Sequence, residues 1–319
     1  MWFRVLAGVL AASIAGLLAF AALSAAQTEL RLGSGFGDKH SSTRALVGVF
    51  SDEVAARTDG RYKVTVFPGS QLGQATEMIN QAQSGINFGV YVSSAFYASQ
   101  VPEIGVTNLP FLFSDREQAF AVLDGPFGEE LKRLFAEKGL EVLGFMELGF
   151  RNITNARGPI RTPEDVAGLK IRLQNNPVHI ATFRLLGASP VSIDASEMFA
   201  ALSQGVVDGQ ENPYAVINSF ALYDANQKYV TDTGHFYDVI VFAVSKAMMD
   251  RLPPEDQAAI REAGRLATLE QRRLAATEDG ENLALVREKG MEVTILTPQE
   301  RAAFQTATQP VYDEVAARL

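Results

Sequence analysis

The chain contains no cysteine. That removes disulfide staples, thiolate metal sites and thiol nucleophiles together. Histidine is nearly as scarce: His40, His179 and His235 lie far apart, and none forms the HExxH pair of a zinc hydrolase. There is no GxSxG nucleophile elbow and no Walker phosphate loop. Gly33, Gly35 and Gly37 follow a strand-like segment, but Asp38 stands where the third glycine of a dinucleotide fingerprint belongs. A tight turn needing small residues explains them better. No Lys/Arg-rich run occurs and the formal net charge is −9, so a nucleic-acid groove has no electrostatic support. These absences leave no catalytic signature and no cofactor motif.

What remains is 47% apolar and 20% charged, a globular composition, over 319 residues. That length suits two α/β lobes better than one small core. The first 26 residues differ from the rest. Arg4 precedes an almost wholly apolar run from Val5 to Phe20, and Ser24-Ala25-Ala26 supplies small residues ahead of polar Gln27. This is the pattern of a cleaved secretory signal peptide, with Gln27 as the mature N-terminus and a soluble, periplasmic product. An uncleaved anchor is the alternative, since the run approaches spanning length.

After the leader, strand-like and helix-like segments alternate, as parallel α/β sheets require. Strands are predicted at Leu30–Gly33, Tyr62–Phe67, Ile86–Val92, Leu140–Phe145, Lys170–Leu173, Val191–Ile193, Val206-Val207 and Val239–Val244. Helices are predicted at Ser42–Thr58, Ala75–Ser84, Asp115–Leu123 and Ser196–Leu202, and from the cap-plus-proline starts Asn176-Pro177 and Asn212-Pro213. Pro254 to Glu288 is helix-compatible throughout, broken weakly by Gly264 and Gly280. A helix of that length outspans one small domain and can lie across two. No flexible linker interrupts the chain, so the lobes are expected to be joined by several crossings that act as a hinge.

Ligands of open α/β sheets sit outside the carboxyl ends of strands. Arg172 is near the end of Lys170–Leu173, Arg151 follows Leu148-Gly149-Phe150, and Asn212 follows the Val206–Glu211 segment. Two arginines and an amide facing one crevice can clamp a carboxylate through charge-assisted, bidentate hydrogen bonds. Each arginine alone also fits an ordinary salt bridge. On the other lobe Asp38, Lys39 and His40 follow the first strand, and Glu77 lies early on a helix. These fit either ligand contact or a solvated loop and helix face.

The same residues carry a resemblance. Gly149-Phe150-Arg151-Asn152-Ile153-Thr154-Asn155, Thr162-Pro163-Glu164-Asp165, Gly168-Leu169-Lys170-Ile171-Arg172 and Leu186-Gly187-Ala188-Ser189-Pro190 resemble the solute receptors of TRAP (tripartite ATP-independent periplasmic) transporters, the DctP family. The most specific segment is Gly205-Val206-Val207-Asp208-Gly209-Gln210-Glu211-Asn212-Pro213. Phe67–Gly73, Asn108–Phe113 and Gln227–Val230 extend the likeness across the mature chain.

The resemblance implies an α/β, two-lobed periplasmic binding protein with a ligand cleft between the lobes, crossing hinge strands and a long spanning helix. It implies that Arg172 makes the main salt bridge to a substrate carboxylate, with Arg151 and Asn212 assisting. It also implies delivery to a small and a large integral membrane subunit. Lobe I is expected at 27–148 plus about 238–277, and lobe II at 149–237 plus about 278–319. Glu211-Asn212 replaces the Glu-Trp of the metal-using 2-oxo-acid branch, so no metal is expected. Ala201-Leu202-Ser203 replaces the usual Ala-Leu-Gln and removes that glutamine from consideration. The segment Leu173-Gln174-Asn175-Asn176-Pro177-Val178-His179 resembles branches that take uronic or aldonic acids, which adds Asn175 to the candidate contacts. Glu77 near the cleft would repel a second carboxylate and accept hydrogen bonds from hydroxyls. The expected ligand is therefore a hydroxylated sugar acid. A C4-dicarboxylate receptor and a ligand-binding sensor are the alternatives.

Overall fold

A computed structural model describes residues 27–318; the expected leader, residues 1–26, lies outside the described residues. Among the described residues nine strands join one sheet, in chain order β1 (Thr28–Gly33), β2 (Tyr62–Phe67), β3 (Gly89–Ser93), β4 (Leu140–Asn155), β5 (Lys170–Leu173), β6 (Ser189–Ser192), β7 (Gly209–Asn212), β8 (Tyr229–Ser245) and β9 (Glu292–Ile295). Their spatial order is β2-β1-β3-β8-β4-β7-β5-β6, with β9 paired to β8. The first three strands, β1, β2 and β3, are mutually parallel around β1. The other parallel set is β5, β6 and β7 around β5. Between the sets run two long strands, β4 and β8, antiparallel to each other. β8 also pairs antiparallel with β3, and β4 with β7. β9 lies parallel to β8. The sheet is thus mixed, and the purely parallel expectation holds within each set only.

β4 and β8 have 16 and 17 residues, roughly 50 Å of extended chain each, enough to serve both sets. Their register shifts between Glu147 and Gly149, where Gly149 has φ of 109°, a conformation costly for a side-chain-bearing residue. The sequence reading ended β4 at Phe145. The glycines and asparagines beyond it mark bulges and a second pairing, because Ile153–Asn155 ladder with both β7 and β8 while Asn152 pairs with β7 alone.

Period-two alternation explains the apolar runs. Val239, Val241 and Ala243 of β8 pack into one core cluster, while Ile240, Phe242 and Val244 pack into another on the opposite face. A strand buried on both faces reads as continuously apolar. These two clusters draw mainly on residues 30–146 and 237–267. Two further clusters draw on 153–236 and on residues beyond 280. These four clusters divide between two lobes, with β4 and β8 passing between them, and a fifth joins Leu109 of the first to Val178, Ala181, Val311 and Val315 of the second.

Helices cover both faces. In chain order they are α1 (Ser41–Ala45, continuing through a π-helical stretch Leu46–Phe50 into Ser51–Arg57), α2 (Ala75–Gln83), α3 (Arg116–Leu123) and α4 (Pro126–Glu137). The second lobe follows with α5 (Pro177–Leu185), α6 (Ala195–Ser203) and α7 (Tyr214–Ser219). Last come α8 (Lys246–Met249), α9 (Pro254–Glu288), α10 (Pro298–Thr308) and α11 (Pro310–Ala316). α9 is about 50 Å long. It buries Ile260, Ala263 and Ala267 against the first lobe, and Val286 with Leu283 against the second. Gly264 permits its close approach to β4: a Cβ there would lie 2.8 Å from the Leu143 Cβ. α4, β9, α10 and α11 have no counterpart in the sequence reading. Val206-Val207 lies in a turn, and the strand there is β7, whose polar Gln210 and Glu211 disguise it. Among the described residues no helix is long and apolar enough to cross a membrane.

Candidate functional site

The carboxyl ends of the parallel strands of both sets converge on one narrow cleft, with a cavity of about 30 Å³. Gly35 and Phe36 follow β1, Ser70 follows β2, and Ser93 ends β3. From the other lobe come Arg172 and Gln174 at the end of β5, Asp194 after β6 and Asn212 at the end of β7. Phe96, Leu148, Met198, Val216 and Phe220 supply apolar wall. Residues at strand ends have their side chains free of the ladder, which is why this edge of the sheet binds ligands.

Arg172 is the cation of this wall, and it is 1% exposed. Alternation on β5 sends Ile171 and Leu173 into the core and Arg172 to the opposite face. Its Nε donates to the Ile193 carbonyl at 2.8 Å, while its buried Nη2 meets no protein acceptor. Burial and then repulsion from Arg151 pull the guanidinium down to about 10, so it stays charged at neutral pH. The Gln174 Oε1 is likewise buried without a partner. A buried, half-satisfied guanidinium beside amide and hydroxyl groups is suited to a carboxylate.

Behind the wall lies a buried ion network. Arg151 donates from Nε to Glu211 Oε2 at 2.5 Å, from Nη1 to Asp238 Oδ2 at 2.8 Å, and from Nη2 to Asn212 Oδ1 at 2.9 Å. Ser93 and Ser94 donate to the two Asp238 oxygens at 2.6 and 2.8 Å. Burial opposes ionisation of Glu211, but the Arg151 guanidinium outweighs it and holds the carboxyl well below its usual range. His179 is itself pulled down to about 3 by burial and stays neutral. Arg151 therefore spends its donors on protein groups. It sits within β4 rather than at a strand end, and it touches the cleft lining through its bond to Asn212, the residue it was expected to assist beside.

Asn212 ends β7 without capping α7, whose N-cap is Pro213. Its Nδ2 instead donates to Gln210 Oε1 at 2.5 Å. Glu77 is exposed and turned toward Gln81 on its own helix, so the structure does not bring it to the cleft. Asn175 is exposed between Gln174 on the cleft wall and Asn176, the buried cap of α5. His40 stacks on Phe36 at 4.4 Å and caps α1, with burial lowering its pKa to about 3. It lines a separate, more open hollow with Lys39, Tyr223, Glu278 and Lys289. The sequence reading missed Ser70, Ser93, Gln174 and Asp194. The strand-end rule would have found all four had it been applied to every parallel strand. Among the described residues no group of three or more acidic or histidine side chains is placed to hold a metal ion.

Two α/β lobes whose strand ends enclose a buried arginine in a shared cleft are the architecture of a solute-binding receptor. The sequence model of bacterial extracellular solute-binding protein family 7 matches residues 32–319, and the chain belongs to this family of periplasmic TRAP receptors. It is 36% identical over 294 residues to the 2,3-diketo-L-gulonate-binding periplasmic protein YiaO of Escherichia coli (strain K12), covering 92% of this chain and 88% of that one. It is similar to the sugar acid binding protein DctPAm of Advenella mimigardefordensis in complex with galactonate, with a TM-score of 0.88, 34% identity and coverage of 91% and 93%. It is also similar to a TRAP periplasmic solute-binding protein of Sulfurospirillum deleyianum with bound succinate, with a TM-score of 0.87, 30% identity and coverage of 91% and 94%. The two-lobed architecture expected from the sequence is the one observed.

Proposed function

We propose that this protein captures a hydroxylated sugar acid, an aldonate or uronate, in the cleft between its lobes. The observation that carries the reading is the Arg172 guanidinium, buried on the cleft wall with its Nη2 unpaired by the protein. The relatives that bind a diketogulonate and a galactonate support it. A relative of nearly the same structural similarity holds succinate, so the fold leaves the choice between one carboxylate and two to the cleft residues. The cleft wall carries Arg172 as its cation and no second one, which favours a monoacid with hydroxyls.

In this reading residues 1–26 direct export and are removed. Lobe I comprises 27–148 with about 238–277, and lobe II 149–237 with about 278–319, in keeping with how the apolar clusters divide. The receptor releases its ligand to a small and a large integral membrane subunit and catalyses nothing itself.

Calorimetric titration with galactonate, galacturonate and succinate tests the proposal. The wild type is expected to prefer the sugar acids. Arg172→Ala is expected to weaken binding by about a hundred- to several-thousand-fold, about 3–5 kcal/mol, because it leaves a carboxylate buried without its partner. Near-wild-type affinity in that variant, or no sugar-acid binding by the wild type, overturns the reading.

A further inference from the structure

We infer that Asp194 is a specificity-determining residue of this cleft: it accepts a ligand hydroxyl, repels a second carboxylate, and does so while touching both lobes. The inference rests on the sugar-acid reading above and gives it a residue. Asp194 is the anion of the wall on which Arg172 is the cation; the other polar side chains there are the neutral Ser70, Ser93, Gln174 and Asn212.

The two charges are built as one unit. The Ile193 carbonyl, one residue before Asp194, accepts the Arg172 Nε at 2.8 Å. Any tilt of the Ile193–Asp194 backbone therefore moves both groups together. Asp194 is also locally rigid. As the N-cap of α6 it accepts from the Ser196 amide at 3.0 Å and hydroxyl at 2.9 Å, both through Oδ1. That leaves Oδ2 free of its own lobe. Oδ2 faces Ala75 across the cleft and accepts its amide at a long 3.4 Å. Ala75 opens α2, and the cap residue of that helix, Gln74, makes no side-chain cap bond. Asp194 thus supplies from one lobe the cap that the other lobe's helix lacks. A carboxylate oxygen with one long bond keeps acceptor capacity for a further donor.

A ligand that places its carboxylate at Arg172 extends toward Asp194 within the same cleft. A hydroxyl arriving there donates to Oδ2 and gains a partner. A second carboxylate arriving there meets a like charge on half-buried Asp194 and has no second cation on the wall to offset it, Arg172 being taken by the first. The same oxygen that selects the hydroxyl also holds α2 of the opposite lobe, so recognition and lobe contact are read at one atom.

Titration of wild type, Asp194→Asn and Asp194→Ser with galactonate and with succinate tests this. Asparagine and serine are both good helix caps, so α6 and the fold persist, checked by melting temperature. Removing the charge is expected to weaken galactonate binding about tenfold and to strengthen succinate binding. The galactonate-over-succinate preference is then expected to fall about tenfold or more in both variants. An unchanged preference in both variants, while Arg172→Ala still abolishes galactonate binding, overturns the role of Asp194 and leaves the receptor reading intact. No galactonate binding by the wild type removes both.

Discussion

Arg151 and Arg172 have the same side chain and nearly the same burial, yet their surroundings satisfy one and leave the other short of partners. Arg151 is surrounded by Glu211, Asp238 and Asn212 Oδ1, and each of its three nitrogens donates to a protein group. Arg172 has one backbone partner and an unpaired Nη2. The difference is position along a strand: mid-sheet for one and strand end for the other. Glu147 is a buried residue whose charge costs stability. Burial pushes its carboxyl up to about 7 against the pull of Arg116 at 3.3 Å, and its Oε2 has no partner. The folded state therefore binds more protons here than the unfolded chain between about pH 4.5 and 7. This contribution is fully present below the unfolded value and is lost as pH rises through 7. Glu147→Gln is expected to raise unfolding free energy at pH 8 by about 1–3 kcal/mol, with the gain vanishing toward pH 4.5. Denaturant titrations of both proteins at several pH values check it; a gain independent of pH sinks it.

At the scale of elements, α9 and the strands it crosses show how a helix is fitted to a sheet. The run from Pro254 to Glu288 was legible because nothing in it stops a helix, and its bounds match the structure. Its two glycines differ in a way no local pattern reveals. Gly264 faces Leu143 on β4, whereas nothing lies within 4 Å of a Cβ at exposed Gly280. Gly280→Ala is expected to stabilise by about 0.5–1 kcal/mol, the gain in helix propensity. Gly264→Ala is expected to destabilise by about 1–3 kcal/mol despite the same local gain, because the helix must lift from the sheet. Thermal melts of the two variants shifting in the same direction would refute the packing argument. Strand ends were less legible. β7 reads Gly-Gln-Glu-Asn, with polar side chains that find partners in Thr154 and Arg151 rather than apolar neighbours. Polar strands satisfied by buried networks carry no hydrophobic signature.

Two long strands and one spanning helix join the lobes, and β4 shifts register at three places along β8, one of them between Glu147 and Gly149. Contacts across the cleft include Asp194 to the Ala75 amide, and Asn176 Nδ2 to Asn108 Oδ1 at 2.9 Å. A ligand that touches both walls favours the closed arrangement by those extra contacts. Small-angle scattering is expected to show a smaller radius of gyration with galactonate than without, and no change for Arg172→Ala. An unchanged wild-type radius at saturating ligand refutes ligand-driven closure.

The sequence by itself determined the alternation of strands and helices, the long α9, the family, and the placement of Arg172 and Asn212 at strand ends. Each rests on local periodicity, cap chemistry or contiguous motif, which a linear chain displays. The tertiary structure decided what depends on partners distant in sequence. It paired Arg151 with Glu211 and Asp238, 60 and 87 residues away, and so withdrew it from the cleft wall. It turned Glu77 to solvent and brought Asp194 opposite Ala75, 119 residues earlier. Local pattern says that a charged residue follows a strand. Whether that charge is free or neutralised is set by which other strand the fold lays beside it.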